Sequence, residues 1–290
     1  MFATLQRFCA IGSSVLLIAL CCSPPALGAL VQYWKFDDGS GTTAANSAGG
    51  NTGILNPGVT GPTWVSSGLA TPIATRPFQP STAALDFLPA NPDYVDGGNI
   101  GLVSNGSSGE VTLSLWARPD SLSGDNRLYG QLSGSTAQAG AVHILSDGAA
   151  EIWNGGTWIS AFLPGSFTVG TWKHYALVWN NGVAINYVNG VFAGTSIVNF
   201  EFGGLNGNFG IAARFINTHG TGFDGRLDDI AIWNEALPLS DIALLASGAS
   251  PLLVPPPPVP EPSTLALLGL GFMGLARVRR RKSASAVCRA

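Results

Sequence analysis

Two Asn-Gly corners constrain what this chain of 290 residues can fold into. Asn180-Asn181-Gly182 follows the apolar run Tyr175-Ala176-Leu177-Val178-Trp179, and Asn189-Gly190 follows Ile185-Asn186-Tyr187-Val188. Asn and Gly tolerate the positive φ of tight hairpin turns, so each corner predicts a pair of adjacent antiparallel strands. Short alternating runs recur at 111–116 and 141–145, and 151–158 reads as a further hairpin around Asn154-Gly155-Gly156. Lys and Glu are scarce, and no long stretch repeats apolar residues at the helical period, so helix is expected only near the end. The expected fold is all-β, a β-sandwich.

The two ends read differently. Arg7, the apolar stretch 11–22 and the small residues of Ala26-Leu27-Gly28-Ala29 have the order of a signal peptide, placed at 1–29 with cleavage after Gly28 or Ala29. At the other end Pro260-Glu261-Pro262 precedes an uncharged run, 263–276, and then Arg277, Arg279, Arg280, Arg281 and Lys282. As a helix, that run would cover only about 21 Å, against a hydrocarbon core of about 30 Å. It is a short transmembrane helix, with the basic cluster and the tail 283–290 on the cytoplasmic side. Between lie the domain, 30–250, and a proline-rich linker, 251–260, of which Pro255 to Pro260 is expected to form a stiff polyproline II spacer.

All four cysteines, Cys9, Cys21, Cys22 and Cys288, fall in the leader and the tail, so the exported domain carries no disulfide. Without leader and tail, seven basic residues face seventeen acidic ones, a net charge of about −10 against −3 for the whole chain. A basic footprint for nucleic acid is missing. An acidic surface suits solubility and divalent cations.

The C-terminal motif, apolar run and arginine cluster resemble the PEP-CTERM sorting signal, here 261–282. That resemblance implies export, a transient stay in the inner membrane of a Gram-negative-type bacterium, and recognition by an exosortase-type membrane protease. In the body, five blocks resemble laminin-G-like jelly rolls of the concanavalin A-like superfamily. They are the run from Tyr33-Trp34-Lys35-Phe36-Asp37-Asp38 to Asn46-Ser47, Leu85-Asp86-Phe87 with Asp93-Tyr94-Val95, Leu113-Ser114-Leu115-Trp116, Thr171-Trp172-Lys173-His174-Tyr175, and Phe223-Asp224-Gly225-Arg226-Leu227-Asp228-Asp229-Ile230. The resemblance implies a jelly-roll sandwich that commonly binds glycans or proteins.

Asp228 alternates with Ile230 and Ile232, so simple strand parity turns its carboxylate toward the core, where it needs hydrogen bonds or a cation. In related domains a calcium ion often ties the first strand's loop to this last strand. By that resemblance Asp37, Asp38 and Asp228 are candidate calcium ligands, with Asn46 and Asp229 behind them. The alternative is that Asp228 accepts backbone N–H groups and the other acids are solvated.

Catalytic patterns are thin. No Glu-x-Asp run of the laminarinase type exists, and Glu110, Glu151, Glu201 and Glu235 each stand alone. His143, His174 and His219 show no metal-ligand spacing; the first two read as structural and the third as exposed. Trp34, Trp116 and Trp233 read as core, whereas Trp153 and Trp158 flank a hairpin tip and could stack on sugar rings. The expectation is a non-catalytic protein of the cell surface or extracellular matrix, carrying a carbohydrate-binding or adhesion module and partnered by exopolysaccharide. The alternatives are a structural matrix component without a small ligand and, further off, a glycoside hydrolase.

Overall fold

The computed structural model describes residues 29–56, 61–66, 81–88, 93–100, 109–132, 140–198, 208–213 and 222–254. All of them belong to one compact body, Leu27–Pro258. The leader, Pro260, Glu261 and Pro262, the run 263–276 and Arg277, Arg279, Arg280 and Arg281 lie outside the described residues. Among the described residues no helix is long and apolar enough to cross a membrane.

The regular structure of the described residues is almost wholly strand: β1 (Leu30–Trp34), β2 (Thr43–Ala44), β3 (Gly53–Leu55), β4 (Thr63–Ser66), β5 (Ala83–Phe87), β6 (Val95–Asp96), β7 (Glu110–Pro119) and β8 (Asn126–Leu132). There follow β9 (Val142–Ile144), β10 (Ala150–Trp153), β11 (Trp158–Phe162), β12 (Lys173–Asn180), β13 (Val183–Val188), β14 (Val191–Ile197), β15 (Asn208–Ile211) and β16 (Gly225–Trp233). One short helix, α1 (Leu239–Ala246), and a 3-10 turn at Pro251–Leu253 close the body.

Two antiparallel sheets form. Sheet A runs β14-β13-β12-β7-β16-β5-β4 with β1 also on β16, and sheet B runs β11-β10-β9-β8-β15-β6-β3-β2. The Asn-Gly corners do what their chemistry predicts. Asn181 and Gly182 at φ 46° and 90° join β12 to β13, and Asn189 and Gly190 at φ 50° and 77° join β13 to β14. Between the sheets, inward residues of both make one core, in which Trp34 stacks on Phe209 at 6.0 Å and Phe167 on Tyr175 at 4.1 Å. Fully burying an apolar side chain of this class contributes about 1.5–3 kcal/mol, so the core stands without disulfides.

Along one side the sandwich is drawn shut. The Leu163 N–H donates to the Ala193 carbonyl at 2.8 Å, bringing the end of β11 onto β14. Gly194 sits there at φ 151°, and a Cβ on it would fall 2.1 Å from the Ala161 carbonyl oxygen.

Outside sheet A lies a second apolar cluster in which Tyr33, Ala176, Val178, Ala231 and Trp233 pack with Ile242 and Leu245 of α1. On the same outer face Trp116 packs with Ala84 and Trp172, and Ser114 Oγ meets His174 Nε2 at 2.7 Å, both residues buried. His174 is thus structural, as its strand setting predicts. Both ends of the body meet on this side: Ala29 and Leu30 line a cavity of about 370 Å³ with Trp233, Glu235, Pro251, Leu252 and Val254.

The expected parity of β16 is corrected. Leu227, Ile230 and Ile232 all enter the core between the sheets, because the register against β7 slips between Asp228 and Ala231 and Asp229 takes φ 49°. This bulge inserts one residue and flips the alternation. Asp228 therefore stands opposite Trp116 on the outer side of sheet A and does not share a face with Ile230 and Ile232.

Candidate functional site

The hairpin of β10 and β11 turns at Asn154, whose side-chain oxygen accepts from the N–H groups of Gly156 and Thr157 at 3.0 and 2.8 Å. Gly155 occupies the left-handed region at φ 94°, where a Cβ would be strained. The turn sets Trp153 directly opposite Trp158, and Glu151 lies opposite both Ser160 on β11 and His143 on β9. His143 in turn lies opposite Arg127 on β8. Since Val142, Ile144, Ala150 and Ile152 point into the core, strand alternation places Arg127, His143, Glu151, Trp153, Trp158 and Ser160 together on the outer face of sheet B.

These side chains form one cluster. The two indoles meet edge to face with centroids 5.2 Å apart and planes at 62°. His143 approaches Trp158 at 5.5 Å, and the Arg127 guanidinium lies over the Trp158 ring, 4.5 Å from its centroid. Asp125, in the turn before β8, pairs with Arg127 and lies 3.4 Å from His143 Nε2. Burial pulls the Arg127 pKa below its usual value, although the bond to Asp125 and the charges of Asp125 and Glu151 oppose that shift. A guanidinium over an indole contributes about 0.5–2 kcal/mol and orients the ring. Trp153 and Trp158 are half-buried, while Ser160 is exposed. The face thus combines aromatic surface, a carboxylate and a hydroxyl, the chemistry that recognises a sugar.

Trp172 and Trp179 are buried and take no part. His143 stands at this face, where sequence reading made it merely structural. Asp125 and Arg127 were not anticipated at all; the one signal for them is the opposite charge pair two residues apart in Asp125-Asn126-Arg127.

The acids considered for calcium fall into three settings. Asp37 Oδ1 accepts from the Thr82 N–H at 2.7 Å, the Thr82 hydroxyl at 3.1 Å and the Ala83 N–H at 3.3 Å, while Oδ2 pairs with Lys35 at 3.1 Å. Burial would raise the Asp37 pKa, but the Thr82 bond, the Lys35 ammonium and the Ala83 bond together outweigh it and hold the carboxyl below the ordinary range. Ser81 Oγ lies between these two acids, 2.7 Å from Asp228 Oδ2 and 3.4 Å from Asp37 Oδ1, and 2.9 Å from the Ala83 carbonyl, with one hydrogen to donate among them. Asp228 Oδ1 also accepts from the Asp229 N–H.

The remaining candidates are engaged elsewhere. Asp229 accepts from the Tyr33 hydroxyl at 2.7 Å, and Asp38 from the Ala45 N–H at 3.1 Å. Asn46 organises its own turn, accepting from Ala48 and Gly50 and donating to Gln32 and the Asn51 carbonyl. Among the described residues no three His, Cys, Asp or Glu side chains gather closely enough to hold a metal ion. Asp37, Asp228 and the Ser81 hydroxyl would supply at most part of an oxygen shell, in competition with the Lys35 ammonium.

Two antiparallel sheets in face-to-face layers, with an aromatic and polar cluster on one outer face, define a lectin-like sandwich. The model of the concanavalin A-like lectin/glucanases superfamily, in its laminin-G form, matches residues 91–243, and that of the PEP-CTERM protein-sorting motif matches residues 258–281. The chain therefore belongs to the concanavalin A-like superfamily and carries a PEP-CTERM signal, the mark of an exported protein sorted via the membrane.

Solved structures share the fold. Domain 4 of AbnA, a GH43 extracellular arabinanase from Geobacillus stearothermophilus, in complex with arabinotriose, is 22% identical with a TM-score of 0.54, covering 76% of this chain and 99% of that one. The binding domain of Paraclostridial Mosquitocidal Protein 1 is 14% identical with a TM-score of 0.51, covering 75% and 52%. The Trypanosoma rangeli sialidase in complex with sialic acid is 13% identical with a TM-score of 0.52, covering 75% of this chain and 32% of the sialidase. Against those two the chain spans about half and about a third of the matched protein's length. No curated protein matches the sequence.

Proposed function

We propose that this protein is an exported, non-catalytic carbohydrate-binding module of the cell surface or extracellular matrix, and that the outer face of sheet B is its binding site. The observation that carries this reading is the pairing of Trp153 with Trp158 beside Arg127, His143 and Glu151, on a face that the core does not use. Support comes from the superfamily and from the sorting signal, a class of signal recognised by exosortases. The partner glycan is the exopolysaccharide of the producing cell.

The acids of this face support binding without turnover. Glycoside hydrolysis needs two carboxylates, one as acid and one as base or nucleophile. Among the described residues of this face Asp125 is paired with Arg127, which leaves Glu151 as the carboxylate outside an ion pair. The test is a pull-down of the exported protein on the producer's exopolysaccharide, with Trp158→Ala beside it and reducing ends measured throughout. Saturable retention that survives high salt and is lost in Trp158→Ala is the expected result. Retention unchanged by the substitution would remove the face, no retention would favour a structural matrix protein, and released reducing ends would make the protein a hydrolase.

Calcium on Asp37 and Asp228 is an independent part of the proposal, supported by the Ser81 hydroxyl that lies between them.

A further inference from the structure

We infer that the outer face of sheet B grips one neutral sugar residue at a time, at a chain end or short branch, and discriminates against acidic glycans. This rests on the glycan-binding reading above. A flat polysaccharide chain is held by aromatic faces that lie in one plane beneath successive sugars. Trp153 and Trp158 cannot provide that, because their planes are inclined at 62° with centroids only 5.2 Å apart. They make a corner. One face of Trp158 is already covered by the Arg127 guanidinium, so the pair can stack against a single ring and meet its edge with the second indole.

Charge decides the kind of sugar. The Arg127 guanidinium is buried, lying over the Trp158 ring with one nitrogen paired to Asp125. Because that guanidinium is buried, a uronate or sialate carboxylate at the open face would meet Glu151 without gaining the cation, on a domain that is acidic overall. Like charges within a Debye length repel, and discrimination by an unpaired charge is strong. Neutral sugars meet no such penalty, since Glu151 accepts from hydroxyl groups and Ser160 both donates and accepts.

The experiment is calorimetric titration of the full chain in a sugar-free detergent. The probes are neutral gluco-, galacto- and arabino-oligosaccharides of increasing length, from monosaccharide upward, and oligouronates of the same lengths. A neutral series should bind with a Kd that changes less than about threefold beyond the disaccharide, and uronates should bind at least about tenfold more weakly. Glu151→Gln should narrow the gap between the two series, and Trp158→Ala should abolish binding while the protein still melts cooperatively. A Kd that keeps tightening by more than about tenfold with length, or a preference for uronates, would overturn this inference and leave the binding module standing. No binding by any series, or binding indifferent to Trp158→Ala and Trp153→Ala, would overturn both.

Discussion

Trp153 and Trp158 stand directly opposite each other across the β10–β11 hairpin and meet edge to face, with ring centroids 5.2 Å apart. Their contact closes the hairpin and at the same time builds the corner proposed to receive a sugar.

Because both rings are half-buried on an outer face, their removal should separate binding from folding. Trp158→Ala loses the packing on Trp153 and the guanidinium contact, an expected destabilisation of about 1–2 kcal/mol. Chemical denaturation should show a folded domain with a lowered midpoint, whereas Trp179→Ala, deep in the core, should cost about 3–5 kcal/mol.

Gly194 is the most constrained glycine on the β11–β14 side. A Cβ there would fall 2.1 Å from the Ala161 carbonyl oxygen, so Gly194→Ala forces the two strands apart. The expected loss is about 1–3 kcal/mol, read as a lower urea midpoint. Gly156→Ala, where the nearest atom lies 3.9 Å away, is the matched control and should leave the midpoint within error.

Stability should fall on acidification through Asp37. Its folded-state pKa is depressed, so the stabilisation it contributes is complete above the unfolded carboxyl pKa and is lost as pH falls through the folded value. Urea midpoints measured from neutral pH down to about 3, below the ordinary aspartate value, should decline less steeply in Asp37→Asn than in the native protein. Equal slopes would show that Thr82, Lys35 and Ala83 do not hold the carboxylate.

Calcium can be tested through the competing cation. If Asp37 and Asp228 bind it, calcium should raise the melting temperature, and more so in Lys35→Ala, which removes the ammonium paired with Asp37. A melting temperature unmoved in both proteins by millimolar calcium would remove the ion from the proposal.

Much of the fold was legible because its signals are local. The β12–β13–β14 meander follows from two Asn-Gly turns and period-two runs, and the superfamily blocks fall on β1, β5, β7, β12 and β16. Asp228 was misplaced because a bulge adds a residue without leaving a mark in Leu227-Asp228-Asp229-Ile230; only the tolerance of Asp for positive φ hints at it. Trp153 and Trp158 were visible from their place at a hairpin tip. Asp125 and Arg127 were not, because their relation to Trp158 reaches over two intervening strands of sheet B and depends on register.

The cavity shared by Ala29, Leu30, Pro251, Leu252 and Val254 has a geometric consequence for display. Ala29 and Leu30 lie beside Pro251, Leu252 and Val254 next to sheet A, on the far side of the sandwich from the indole corner. The two points at which the described body ends thus lie away from the face proposed to receive sugar, so substitutions around Ala29 or Val254 should leave that face untouched.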